Sequence, residues 1–81
     1  MEQINADVKE FILREFLPGE SPEKLTDSTP LITGGILDSL ATLKLVAFLE
    51  ERFKIQVQAH EADVEHLNNL TSITNLIQSK L

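Results

Sequence analysis

Ser39 is the residue of this chain whose setting most favours chemistry. It stands in the run 34–40, which reads Gly-Gly-Ile-Leu-Asp-Ser-Leu, directly before the most apolar segment, residues 40–53. Paired glycines allow backbone conformations that other residues rarely adopt, and serine is favoured at the start of a helix. We therefore predict that the Ser39 hydroxyl lies exposed at a helix N-terminus. An anionic group attached there would meet unpaired backbone N–H groups.

Other kinds of chemistry fit the sequence less well. A hydrolase with Ser39 as its nucleophile would need a base, but His60 and His66 lie in a polar segment far along the chain and the Gly-x-Ser-x-Gly elbow is absent. The same histidines and the three acidic residues between them suggest a metal site. However, a His-x5-His spacing does not place both imidazoles on one helical face. We expect these histidines and acidic residues to be ordinary surface groups. The simplest alternative role for Ser39 is that of a helix cap.

Composition limits the class of protein. The 81 residues make one domain, 1–81, and their 7 Lys and Arg against 13 Asp and Glu give a net charge of −6. This balance disfavours nucleic acid and anionic membrane surfaces and favours partners with basic patches. The chain has no cysteine, its first ten residues do not resemble a secretory signal, and Lys44 interrupts its longest apolar stretch. We expect a cytoplasmic protein.

The apolar spacing predicts helices. Residues 3–16 carry apolar side chains at helical spacing and form the first predicted helix, which Leu17-Pro18-Gly19 ends. A long loop over residues 18–38 contains all three prolines and all three glycines, and residues 21–25 predict one helical turn within it. Four aliphatic residues of this loop are expected to turn inward and fix where Ser39 emerges: Leu31, Ile32, Ile36 and Leu37.

A second helix is predicted over residues 39–53, with apolar residues on two sides. A rotation of 100° per residue places six residues on the expected core side: Thr42, Leu43, Leu45, Val46, Leu49 and Phe53. The other side, next to Ser39, carries Leu40, Lys44, Ala47, Phe48 and Glu51. Because a thin bundle cannot easily bury both sides of one helix, this second side predicts a contact surface for a partner. The alternative is that Leu40 and Phe48 pack under the loop or against another helix.

The remainder of the chain predicts two more helical segments. Residues 54–58 alternate like a strand, but a lone strand has no partner in so small a chain, so we expect an extended connector. Residues 62–67 predict one or two helical turns with Val64 and Leu67 facing inward. Thr71 is the predicted cap of a last helix that runs to Leu81. The predicted fold is all-α, a bundle of three to four helices with a long loop between the first two.

Residues 34–53 resemble the acyl and peptidyl carrier protein family. They contain the Asp-Ser-Leu motif in which that family attaches 4′-phosphopantetheine to serine, here preceded by Gly-x-Leu and followed by an apolar helix. The resemblance extends to chain length, helix order and the tail over residues 67–77, so it covers nearly the whole sequence. It implies a carrier-protein bundle.

The resemblance also implies a function. Ser39 would carry 4′-phosphopantetheine from coenzyme A, and Asp38 would help a phosphopantetheinyl transferase recognise its target. The chain would then be a monomeric, non-catalytic phosphoprotein that shuttles a thioester between enzymes, and the arm would supply the thiol that the sequence lacks. The implied partners are the transferase, an adenylate-forming ligase or acyltransferase, and downstream synthase or condensing enzymes.

Two positions depart from the commonest family members. Carriers of fatty-acid synthesis typically have acidic residues two and five positions after the modified serine, where this chain has Ala41 and Lys44. Loss and reversal of charge at an interface change the choice of partner. We therefore predict a specialised carrier. The Gly-x-Leu-Asp-Ser-Leu form and the tail over residues 65–73 resemble free-standing acyl or aminoacyl carriers, which implies a polyketide, non-ribosomal peptide or dedicated acyl pathway. The alternatives are a housekeeping fatty-acid carrier and an unmodified adaptor that binds a partner through the second helix. The predicted partner-recognition residues are Asp38, Leu40, Ala41, Lys44, Ala47, Phe48 and Glu51.

Overall fold

The computed structural model describes residues 2–81 and contains four α-helices joined by loops. The helices are α1 (Glu2–Phe16), α2 (Ser39–Phe53), α3 (Val64–Leu67) and α4 (Leu70–Lys80), and single turns of 3₁₀ helix lie at Pro22–Lys24 and Ala59–Glu61. No β-strand occurs within residues 2–81, and residues 55–58 form the expected extended connector. The predicted all-α fold is confirmed.

Specific residues begin and end the helices. The chain leaves α1 through Gly19, whose φ of +85° is favoured by glycine, and leaves α2 through Lys54, whose φ is +57°. The last helix begins at Asn69, whose side chain accepts a hydrogen bond from the Ser72 amide at 2.7 Å. The prediction that Thr71 caps this helix was therefore wrong. The N-cap is Asn69, which lies two residues before Thr71 and accepts from a free amide of the first helical turn.

The core lies where α1, α2 and α4 meet. Val8 and Ile12 of α1 and Ile73 of α4 are completely buried, as the apolar spacing predicted. The long loop contributes to the same core, since Leu31 and Leu37 are buried and Ile32 and Ile36 pack against it. The predicted inward turn of the loop before Ser39 is thus confirmed. Burial of this much aliphatic surface holds the loop against the helices.

The predicted core side of α2 was partly wrong. Leu45 and Leu49 are buried as expected, but Ala41 is buried with them and Leu43 is 64% exposed. The buried residues repeat every four positions, so the helix faces the core with a stripe centred on Leu45, and Leu43 lies on the opposite side. Val64 of α3 was also expected to face inward, yet it is 45% exposed.

None of the helices within residues 2–81 combines the length and the apolar character needed to cross a bilayer.

Candidate functional site

Ser39 is the first residue of α2 and is exposed, but it does not cap the helix. Asp38 is the N-cap, and its carboxylate accepts a hydrogen bond from the Ala41 amide at 2.7 Å. The Thr42 hydroxyl donates to the Asp38 carbonyl at 2.8 Å. Within the described residues the Ser39 hydroxyl has no hydrogen-bond partner. The helix start is therefore stabilised by its neighbours, and the hydroxyl remains free to react.

The loop that delivers Ser39 is closed by backbone hydrogen bonds. The Leu37 amide donates to the Leu31 carbonyl at 2.8 Å, and the Gly35 amide donates to the Ile32 carbonyl at 3.1 Å. Gly35 has a φ of +83°, which a side-chain-bearing residue rarely adopts. At Gly34 a Cβ atom would collide with the carbonyl oxygen of Pro30. Both glycines of the pair are thus required, for two different reasons.

Asn68, between α3 and α4, attaches this loop to the rest of the molecule. Its Oδ1 atom accepts hydrogen bonds from the amides of Ile32 at 2.9 Å and Thr33 at 3.0 Å. Its backbone carbonyl accepts from the Leu31 amide at 2.6 Å. The role of Asn68 was not predicted, because nothing in the local pattern of the sequence indicates a contact with a residue 35 positions away. An asparagine between two helices is the only signal that the sequence offers.

A groove of about 660 Å³ opens beside Ser39, between the start of α2 and the segment that leads into α3. The loop and α2 contribute Ile32, Leu37 and Leu43, and Ala62 and Val64 form the opposite wall. Two carboxylates, those of Asp38 and Asp63, also line it, together with Ser39 and Thr42. The groove is therefore apolar with acidic groups at its border, and it adjoins the exposed hydroxyl.

Asp63 pairs with His66 and also caps α3. Its Oδ1 atom lies 2.8 Å from Nδ1 of His66 and accepts a hydrogen bond from the His66 amide at 3.0 Å. The side-chain hydrogen bond raises the pKa of His66 and lowers the pKa of Asp63. His66 faces a separate depression lined by α4 residues and not the groove beside Ser39. A serine hydrolase would require a hydrogen bond between such an imidazole and the serine hydroxyl, and His66 makes none with Ser39.

The residues predicted to recognise partners fall into two groups. The exposed members are Asp38, Leu40, Lys44, Ala47 and Glu51. Ala41 is buried, so its side chain is not part of the exposed surface. Phe48 is half-buried and stacks on Phe11 with ring centroids 4.1 Å apart, so the alternative prediction, packing against another helix, holds for this residue.

Leu43, which was predicted to face the core, belongs to the exposed face of α2. Leu40 and Leu43 are each 64% exposed, and Val64 of α3 is exposed on the wall of the groove. Five of the seven exposed residues of α2 stand at positions 40, 43, 44, 47 and 51, a spacing that places them on one face of the helix. That spacing is the signal that would have identified Leu43.

Among residues 2–81 no three histidine or acidic side chains converge as a metal site would require.

Comparison with known proteins shows a likeness to a solved structure. No protein-family model matches the chain, and no curated protein matches it significantly. A solved structure described as the crystal structure of an FAD-dependent dehydrogenase contains a chain that is 33% identical, with a TM-score of 0.78. The likeness covers 86% of this chain and 97% of that chain, so the matched chain is about as short as this one. The present chain belongs to the same family of short helical domains as the chain matched in that structure.

Proposed function

We propose that this chain is a carrier protein, modified on Ser39 with 4′-phosphopantetheine, that presents an acyl or aminoacyl thioester to other enzymes. The observation that carries the proposal is the state of the Ser39 hydroxyl. It is exposed at the first position of α2 beside an apolar groove, and it does not cap the helix because Asp38 is the N-cap. This setting lies within the stretch that resembles the carrier family.

The residues around Ser39 suit the attached group. In the modification, Ser39 Oγ forms a phosphoester bond with the phosphorus that carries the pantetheine of coenzyme A. The bond to the adenosine bisphosphate breaks, and the hydroxyl proton passes to a base of the transferase. The resulting negative charge lies at the N-terminus of α2, where free amides and the helix dipole favour it by about 0.3–1 kcal/mol. When bound, the group supplies the thiol on which a thioester is carried.

The test is a mass measurement. The intact protein is incubated with coenzyme A and a broad-specificity phosphopantetheinyl transferase, and we expect a mass gain of one phosphopantetheinyl group. Ser39→Ala should show no gain. Ser21→Ala, which removes another exposed serine, should be modified as fast as the native chain. An unmodified native chain, or an equal gain in Ser39→Ala, would contradict the proposal and favour the adaptor.

We propose further that the carrier is a specialised one. Lys44 is exposed on the same face as Leu40, so it is accessible to a docking enzyme, whereas carriers of fatty-acid synthesis typically have an acidic residue at this position. A partner that docks through basic residues would meet a like charge there. We expect poor loading by a fatty-acid malonyl transferase and improved loading in Lys44→Glu. Efficient malonyl loading of the native holo form would support the housekeeping alternative instead.

An FAD-dependent dehydrogenase is the proposed consumer of the cargo. The support is the 33% identical short chain in the structure described by that name. Residues 2–81 form helices and no dinucleotide-binding α/β unit, and we propose that this chain delivers the substrate while the dehydrogenase holds the flavin. The thioester carbonyl would acidify the α C–H bond, and a base of the dehydrogenase would take the α proton. Its FAD would supply the acceptor for the β hydrogen, transferred as hydride.

The dehydrogenase proposal is tested with loaded carrier. A panel of saturated acyl and aminoacyl groups is attached to the holo form, and each is mixed without oxygen with the FAD-dependent dehydrogenase of the matched structure. We expect one member to bleach the flavin absorbance and to lose two hydrogen atoms from its acyl group by mass. Holo protein without cargo is the control. Flavin that stays oxidised with every loaded form, while a small thioester is oxidised, would contradict this partner.

A further inference from the structure

We infer that Asn68 is a positioning residue for Ser39, through which the junction of α3 and α4 controls how the serine is presented to the transferase. This inference rests on the proposed function, because it concerns the same hydroxyl. Asn68 does not contact Ser39. It acts through the closed loop of residues 31–37, which ends at the residue before the Asp38 cap.

Asn68 accepts hydrogen bonds from three consecutive amides of the loop, and its Nδ2 atom also donates to the Thr33 hydroxyl at 3.3 Å. Its backbone carbonyl accepts from Leu31 at 2.6 Å, and its single Oδ1 atom accepts from Ile32 at 2.9 Å and from Thr33 at 3.0 Å. Leu31 also accepts the hydrogen bond from Leu37 that closes the loop. Asn68 therefore holds the first residue of the loop, and that residue holds the last one. Any displacement of Asn68 is transmitted to the start of α2.

Asn68 is itself firmly placed. It is the C-cap of α3, and its amide donates to the Val64 carbonyl at 3.1 Å. The next residue, Asn69, caps α4. The two neighbouring asparagines thus have separate tasks: one binds the loop that carries the serine, and the other begins a helix. Asn69 therefore provides a matched control for Asn68.

The expected kinetic signature follows from this arrangement. Without the Oδ1 acceptor, the amides of Ile32 and Thr33 lose their partner and the loop samples more conformations. The transferase then binds only the fraction of molecules in which Ser39 is correctly placed, so its apparent KM rises by the inverse of that fraction. Once bound, the serine is oriented as before, and kcat stays nearly the same. A loss of stability alone has no such effect at temperatures where the variant is folded.

The experiment compares three variants as substrates of the phosphopantetheinyl transferase, well below their melting temperatures. For Asn68→Ala we expect KM to rise about tenfold, as the loss of about one to two net hydrogen bonds allows, with kcat nearly unchanged. Asn68→Asp keeps an oxygen acceptor at the same place and should restore KM to near the native value. Asn69→Ala should lower the melting temperature comparably to Asn68→Ala without raising KM.

A native KM in folded Asn68→Ala, or an equal rise of KM in Asn69→Ala, would overturn the inference. If Asn68→Ala does not fold, amide hydrogen exchange in the native chain and in Asn68→Asp decides. The amides of Ile32 and Thr33 must then be protected in both proteins, and exchange as fast as in an unstructured peptide would overturn the inference. Failure of the native chain to be modified at all would instead contradict the proposed function, so the two failures are distinguishable.

Discussion

The two ends of α2 are held in place by different kinds of interaction. At its C-terminal end, Phe48 stacks on Phe11 at 4.1 Å and meets Phe53 edge to face at 6.4 Å. There Arg52 also pairs with Asp7 of α1 at 2.9 Å. At the serine end, the polar contacts of Asp38 and Asn68 fix the backbone, and Leu40 is left exposed. Apolar packing is non-directional, whereas hydrogen bonds fix orientation. The difference teaches that aromatic packing is concentrated at one end of α2, whereas side-chain hydrogen bonds orient the backbone around Ser39 at the other.

The largest effect on stability is expected from removing an aromatic ring that packs against the C-terminal end of α2. Phe11→Ala removes a ring that contacts both Phe16 and Phe48, and we expect the free energy of unfolding to fall by about 3 kcal/mol. Leu40→Ala, at the serine end, should change it by less than about 0.5 kcal/mol because Leu40 is 64% exposed. Chemical denaturation measures both. Equal losses in the two variants would mean that the serine end also supports the fold.

A medium effect is expected from two glycines, one in the loop before the serine end of α2 and one after α1. Gly34→Ala forces the loop away from the Pro30 carbonyl, and we expect a loss of stability of about 1–3 kcal/mol together with slower modification of Ser39. Gly19→Ala, after α1, has free space around it but must keep a φ of +85°, which costs about 1 kcal/mol. Its modification should be as fast as that of the native chain. The comparison would fail if Gly19→Ala slowed the transferase as much as Gly34→Ala.

The smallest effect is a pH dependence of the pair formed by Asp63, which lines the groove, and His66, which does not. The pKa of His66 is raised in the folded state by its hydrogen bond with Asp63, so its stabilising contribution is fully present below the unfolded pKa of about 6.5 and is lost as the pH rises through the folded pKa. The pKa of Asp63 is lowered, so its contribution is present above its ordinary value of about 3.9 and is lost as the pH falls through the folded pKa.

The stabilising contributions of the Asp63 carboxylate and the His66 imidazole are both present between about pH 4 and 6.5. We expect the melting temperature of the native chain to exceed that of His66→Gln by a small margin in this window, and the margin to shrink at higher pH. Thermal unfolding followed by circular dichroism over the pH range measures it. A margin that grew as the pH rose above neutrality would show that the pair acts with the opposite sign.

The order of the elements could be predicted because each boundary has a local cause. Gly19 ends α1, the Gly34-Gly35 pair forms the turn, and the apolar run after Ser39 is helical, all within a few residues of the signal. The cap of α2 was less certain, since Asp and Ser are almost equally good N-cap residues and stand next to each other. The structure assigns that role to Asp38.

The rest of the site depends on contacts that the local sequence does not encode. The helical spacing places Leu43 and Leu45 on different sides of α2, but only the packing of the other elements decides which side is buried. The hydrogen bonds from Ile32 and Thr33 to Asn68 span 36 and 35 residues of sequence. An asparagine that binds a distant loop and an asparagine that caps a helix, such as Asn69, are indistinguishable in the sequence.

The cap at Asp38 has a consequence for any cycle in which Ser39 is loaded and unloaded. If the serine itself closed the first turn of α2, each attachment would remove a hydrogen bond and each release would restore it. Because the neighbouring carboxylate has that task, we expect a form modified on Ser39 to keep the backbone of the unmodified chain and nearly its melting temperature. Under the proposed carrier function, an enzyme that distinguishes the empty protein from the loaded one would then have no change of backbone to detect. It would have to contact the attached chain directly.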